Sequence, residues 1–276
     1  MTFDAKETSV QDGRPIELYE FKRVDQRWYY TSADRNLTTV LEDEDYTAAA
    51  ISRTEIEQGQ ELARSPMTVT VPRNLAIADY FRAEPPSRPI FLKVRQYHES
   101  DDNINTIWTG RCLSVEWADS HAMIHCEPTI TSLNRQGLRR FYQRQCPHVL
   151  YGPECRLDQA DHKIVGAIDS VSGNVVNISE CAGFADGWFA GGWIEHVLDE
   201  SFSTVERRFI VSHVGANLTL NFPLPAQFVV GYNMTIYKGC DHTAATCNSA
   251  KFSNIANYGG FPYFPIKNPF GGAPLF

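Results

Sequence analysis

At 276 residues, 43% of them hydrophobic, the chain can fill one large or two medium domains, which excludes a mini-protein stapled throughout. A formal net charge of −8 and a pI of about 5.5 argue against a broad basic face of the kind that grips a nucleic-acid backbone. No apolar run approaches the roughly 20 residues of a membrane-spanning helix, and the start, Met1 to Glu7, lacks the charged-then-apolar pattern of a signal peptide. The expectation is a chain made and kept in the cytosol.

Aromatic residues make up 12% of the chain, with 16 Phe and 12 Tyr, and long Ala/Leu/Glu/Lys runs are few, which favours strands over helix bundles. In chain order, Ile16 to Phe21 and Trp28 to Thr31 flank a polar turn at Asp25-Gln26 and read as a hairpin. Strand-length segments follow at Thr38 to Leu41, Ala48 to Ser52, Met67 to Val71 and Ile90 to Tyr97, with a short helix over Leu75 to Phe81. Further strands are expected at Asn105 to Thr109, Arg111 to Trp117 and Ala122 to Cys126. Such spacing predicts a closed or nearly closed antiparallel β-barrel over residues 1–128.

A helix is expected over Thr131 to Arg144, because Leu133, Leu138, Phe141 and Tyr142 can share a face between Arg135, Arg139, Arg140 and Arg144; those arginines read as a solvated or ion-paired face. With the first cysteine pair, this makes a segment 129–160. Strands return at Lys163 to Ile168, Val175 to Ile178, Trp193 to Val197, Glu206 to Val211, Leu218 to Leu220 and Met234 to Tyr237, a second small β domain over 161–235. Residues 236–276 hold a second cysteine pair and an extended, aromatic-rich tail broken by Gly and Pro. The fold class is therefore mainly β: an N-terminal barrel and a second small β domain, joined through a cysteine region with one short helix.

Seven cysteines in a reducing compartment argue against a disulfide framework. Cys112 and Cys126 fall in expected strands and read as small core hydrophobes. Cys146 with Cys155, and Cys240 with Cys247, lie in loops with gaps of eight and six residues. Those gaps are wider than the two to four residues usual between zinc-knuckle cysteines and do not follow standard ferredoxin spacing. Spacing alone leaves an iron-sulfur cluster, zinc, disulfides and unligated thiols open, and Cys181, at a strand end, is a fifth candidate ligand. If the pairs converge, residues 161–235 become an insertion clamped at both ends.

Catalytic signatures are scarce. No Gly-x-Ser-x-Gly, phosphate loop or His-Glu-x-x-His occurs. Cys240-Asp-His242 places a thiol near an imidazole, but sequence neighbours seldom form a nucleophile-base pair. His148 reads as a hydrogen-bond donor behind the cysteines or a turn residue.

The segments Cys146-Pro-His-x-Leu-Tyr-Gly-x-x-Cys155, Gly239-Cys-Asp-x-Thr-x-x-x-Cys247 and Phe252-x-Asn-x-x-Asn-Tyr-Gly-Gly-Phe-Pro resemble the tail-tip hub family of long-tailed bacteriophages and gene transfer agents. The resemblance implies a structural, non-enzymatic homotrimeric ring at the distal end of the tail tube, in the virion and assembled in the host cytoplasm. It implies a [4Fe-4S] cluster held by Cys146, Cys155, Cys240 and Cys247. The implied partners are the distal tail protein and tube on one side and a central tip or fibre protein on the other, with DNA passing through without specific binding. A zinc-stabilised tail protein is the runner-up, and a tail-associated cysteine peptidase a more distant alternative.

Overall fold

The computed structural model describes residues 15–24, 26–39, 44–56, 66–82, 86–98, 103–134, 137, 140–197, 205–224 and 228–265. The chain forms two compact units, one of Met1–Arg135 with Leu198–Glu206, the other of Gln136–Val197 with Arg207–Phe276.

The first unit is built on nine strands: β1 (Ile16–Arg23), β2 (Gln26–Thr31), β3 (Leu37–Thr39), β4 (Glu44–Ala48), β5 (Ser52–Arg53), β6 (Met67–Pro72), β7 (Ile90–His98), β8 (Asn103–Trp117) and β9 (His121–Pro128). They form one sheet in the order β3-β4-β2-β1-β7-β8-β9-β6-β5. Among the described residues it is a half-barrel: β3 and β5 end the sheet and are not paired to each other. The hairpin at the chain start is as expected, with Phe21 opposite Trp28 and Leu18 opposite Thr31.

Alternation explains the core. Tyr19 and Phe21 of β1 point into a cluster with Val69, Val94 and Ile124, while Leu18 on the other face joins Leu37, Tyr46 and Tyr97. The expected short helix is α1 (Ala76–Asp79), and it buries Ile77 and Ala78 in the larger cluster. Cys112 and Cys126 face each other across β8 and β9, both buried, their sulfurs 3.7 Å apart.

Three local expectations change. The strands expected at Asn105–Thr109 and Arg111–Trp117 are one 15-residue strand. Gly110 does not interrupt it but pairs with Leu92 and Pro128, and a β-carbon there would strike the Glu127 carbonyl and the Trp108 indole. Of the Ala48–Ser52 segment, Ala48 ends β4 and Ser52 begins β5, and residues 49–51 are a link between them instead of a strand, anchored by buried Ile51; the alanines offer little surface for a ladder. The helix expected over Thr131–Arg144 is a 3₁₀ segment at Thr129–Asn134, and residues 140–144 are irregular. Leu133, Phe141 and Tyr142 are 77%, 70% and 76% exposed, so a helix would have no core to bury that face. Leu138, Arg135 and Arg139 lie outside the described residues.

The second unit carries β10 (Lys163–Ala167), β11 (Ser170–Ser172), β12 (Val175–Asn177), β13 (Trp193–Val197), β14 (Val205–Val214) from Arg207 onward, β15 (Asn217–Leu220) and β16 (Asn233–Tyr237). Their order is β10-β16-β13-β14-β15-β12-β11. Val176, Ile194, Ile210, Leu218 and Ile236 are fully buried. Cys181 is fully buried in a 3₁₀ turn after β12, and burial, followed by the charge of Glu180, pushes its thiol up to about 12.

Candidate metal centre

β10 and β16 are paired neighbours, so the chain enters and leaves the insertion side by side, with Lys163 opposite Tyr237. The ends are tied: the Lys238 amide donates to the His162 carbonyl at 3.0 Å, and the Tyr151 hydroxyl to the Lys238 carbonyl at 2.8 Å. Gly239 can follow β16 closely past Ala190 and Gly192 because a β-carbon would collide with their backbone. That register delivers Cys240 to the loop of Cys146 and Cys155. Cys247 arrives one turn later on α2 (Ala244–Asn248), whose N-cap Thr243 accepts from the Thr246 amide at 3.2 Å.

The four cysteines thus line one small cavity of about 20 Å³, walled also by His148 and Phe252. Cys181 does not line it. Among the described residues, no three Cys, His, Asp or Glu side chains are grouped closely enough to hold one metal ion. A zinc tetrahedron, with Zn–S bonds of about 2.3 Å, needs such a tight group. Four cysteine thiols lining one cavity are the donor set from which an iron-sulfur cubane is held.

Donors surround the sulfurs. The His242 amide points to Cys240 Sγ at 3.3 Å, the Gly259 amide to Cys146 Sγ at 3.4 Å, and Asn254 Nδ2 to Cys155 Sγ at 3.8 Å. Cys247 Sγ lies 3.3 Å from the Asn254 carbonyl. Amide donors aimed at sulfur favour the thiolate, the form that binds metal. Burial opposes it: Cys240 is pushed up, and Cys247 is pushed up to about 11 by burial and then by the charges of Cys240, Cys146 and Cys155.

The loops are held in uncommon backbone conformations. Tyr151, Arg156, His242 and Ser253 all have positive φ, between 48° and 61°, and each lies close in sequence to one of the four cysteines. Left-handed non-glycine residues persist only where surroundings over-determine them, typically at ligand clamps.

Asn254 and Asn257 do more than close their own turn. Asn254 Nδ2 reaches the Cys155 carbonyl at 2.7 Å, 99 residues away, and Asn257 Nδ2 supports Asn254 Oδ1 at 2.7 Å. His148 fills the role read for it, its Nδ1 3.1 Å from the Asn257 carbonyl. Gly259 packs on its ring, where a β-carbon would not fit. Tyr142 meets Phe261 at 5.0 Å, the Gln143 carbonyl accepts from the Phe261 amide at 2.9 Å, and the Arg144 carbonyl accepts from the Tyr258 hydroxyl. Residues 142–144 are thus committed to the terminal strip, which is the physical reason they are not helical. The tail beyond residue 265 lies outside the described residues.

Behind the cavity stands an aromatic wall: Tyr151 stacks on His162 at 5.8 Å and meets Trp193 edge-on at 5.4 Å, and His162 meets Phe252 at 5.4 Å. Burial, then Cys155 and Cys240, raise the Tyr151 hydroxyl far above its ordinary range. Lys251, which residue spacing does not single out, is buried beside this wall; burial pushes it down to about 8 against the opposing charge of Cys240 and Asp241. The Cys240-Asp-His242 triplet brings the His242 amide, not a catalytic pairing, to the sulfur.

Residues 16–158 match the family model described as "Baseplate hub protein, N-terminal attachment domain", just over half of the chain. The chain belongs to the baseplate hub protein family. Residues 187–268 of this hub protein match a second phage family, "Phage conserved hypothetical protein BR0599". Cys146 and Cys155 fall within the first match and Cys240 and Cys247 within the second, so the site is assembled from both. An uncharacterized protein of Xylella fastidiosa (strain 9a5c) is 26% identical over 185 residues, 61% of this chain and 38% of that protein. The hub thus spans well under half the length of that relative. A chain of the "Virion of native gene transfer agent (GTA) particle" superposes with a TM-score of 0.75 at 21% identity, over 99% of this chain and 97% of that one, and shares its fold. Membership of the baseplate hub family places the hub protein in the virion tail.

Proposed function

We propose that this hub protein forms a homotrimeric ring at the distal end of the tail tube, with a [4Fe-4S] cluster held by Cys146, Cys155, Cys240 and Cys247 as its internal fastener. The observation that carries the cluster reading is the convergence of these cysteines on one cavity from segments 85 positions apart (240 minus 155), with amide donors aimed at three of the four sulfurs. When bound, the cluster supplies iron–thiolate bonds that join the two segments. This chain's residues contribute the rest: His242, Asn254 and Gly259 orient the sulfurs, and Tyr151 and Phe252 exclude water. In the chain-entropy model a crosslink closing a loop of this size contributes about 4–5 kcal/mol, and metal-binding free energy becomes folding free energy of the cysteine region.

The role is structural. All four positions around the cluster are taken by this chain, and the Cys240 thiol is pushed up by burial, opposite to an activated nucleophile. The ring, the tube and distal tail protein on one side and the tip or fibre protein on the other follow from the family resemblance; mass measurement on assembled tails tests the trimer.

Anaerobic purification, an absorbance spectrum, and iron, sulfide and zinc analysis test the cofactor. About four irons and four sulfides per chain are expected. Zinc without sulfide overturns the cluster and leaves a zinc-stabilised hub.

A further inference from the structure

Two lysines converge on one indole beside the cysteine cavity. Lys251 is 8% exposed, with Nζ 5.2 Å from the Trp188 ring centroid and 5.4 Å from that of Phe252, a residue of the cavity wall. Lys238, two residues before Cys240, puts its Nζ 5.9 Å from the same indole. Among the described residues neither lysine forms an ion pair with a carboxylate. A cation–π contact gives roughly 0.5–2 kcal/mol, less than the several kcal/mol that burying an unpaired ion costs. Two ammonium groups on one ring also repel. The arrangement needs negative charge close by, and Cys240 and Asp241 are the groups whose charge acts on Lys251.

We propose that Lys251, assisted by Lys238, is the built-in counter-charge of the cysteine site and raises the reduction potential of the group bound there; this rests on the cluster reading. With a cluster bound, reduction by a one-electron donor, dithionite in the test below, would add one electron to it and make the site one unit more negative. No bond breaks and no proton moves. A fixed ammonium stabilises the more negative form, so it shifts the equilibrium towards reduction. Trp188 holds the two lysines beside Phe252, a residue of the cavity wall.

The test uses the full chain, purified anaerobically, with iron and sulfide measured first and a dithionite titration followed by cluster absorbance. Lys251→Met is expected to keep its iron and sulfide and to shift the reduction equilibrium about tenfold against the reduced form, about 59 mV for one electron. Lys251→Arg, which keeps the charge, is expected to titrate like the wild type. A Lys251→Met protein with full cluster content and an unchanged midpoint overturns the inference and leaves the cluster reading intact. Should Lys251→Met lose its cluster, Lys238→Met decides: a smaller shift in the same direction supports the inference, and no shift overturns it. Wild-type protein without iron and sulfide overturns the cluster reading and the inference together.

Discussion

Tyr19, Phe21, Val69, Val94 and Ile124 of the first unit are fully buried, whereas Cys146, Cys155, Cys240 and Cys247 of the second are only partly so. The nine-stranded sheet holds its shape by burying apolar side chains on ladders that pair residue by residue. The cysteine loops have short helices, left-handed residues and single long-range hydrogen bonds in place of a ladder. Stability in the first region is spread over many interchangeable contacts; in the second it is concentrated in a few that cannot substitute for one another.

Breaking that concentration has the largest expected effect. If the proposed cluster is present, Cys240→Ser removes one of its four ligands, and with it the cluster's share of folding free energy. Limited proteolysis is expected to cut within residues 240–265 while the nine-stranded unit stays protected. Loss of protection in both regions at once would show that they do not stabilise independently. The converse change is Phe21→Ala, fully buried against Tyr30 with ring centroids 6.1 Å apart. A cost of about 3–5 kcal/mol is expected in the unfolding of the first unit, with iron and sulfide content unchanged.

The two regions also differ in how far residues alone reveal them. Alternation in Met67-Thr-Val-Thr-Val71 shows that strand directly, since the pattern and the buried face are both local. Gly110 looked like a break because a glycine's close approach to Glu127 depends on a partner strand. Residues 131–144 have helical spacing, yet Tyr142 finds its partner in Phe261, which local periodicity cannot show. At the candidate site the four cysteines are legible through their flanking residues. Asn254 and Lys251 are not, because their targets come from distant chain: Cys155 for one, Trp188 and the thiols for the other. Four positive-φ residues are likewise invisible in residue type, being Tyr, Arg, His and Ser rather than Gly.

Asn254 sharpens the contrast at intermediate size. Its amide spans the two cysteine segments, so Asn254→Ala leaves the Cys155 carbonyl without that donor, at a cost of about 1–3 kcal/mol to the second unit. Asn254→Asp keeps the shape but replaces the donor with negative charge beside sulfurs that already repel one another. Iron retention under chelator challenge is expected to fall in the order wild type, Ala, Asp; equal retention in Ala and Asp would mean that charge near Cys155 is immaterial.

The smallest effect is a pH dependence confined to the second unit. His162 lies against Tyr151 and Phe252, and burial, then Lys238, hold it below its ordinary 6.5. Its folded state therefore resists the proton that the unfolded chain accepts near that value. Between the lowered folded value and 6.5 the unfolded chain binds more protons, so stability rises with pH through that window and falls as pH drops below about 6.5. Denaturant midpoints for the second unit are expected to decrease from pH 7.5 to pH 5.5, and His162→Phe to flatten that slope by keeping the ring without the titration. The midpoint of the first unit should give the same slope in both proteins, because His162 belongs to the other unit. An undiminished slope for the second unit of His162→Phe would assign the acid sensitivity to protonation of the thiolates instead.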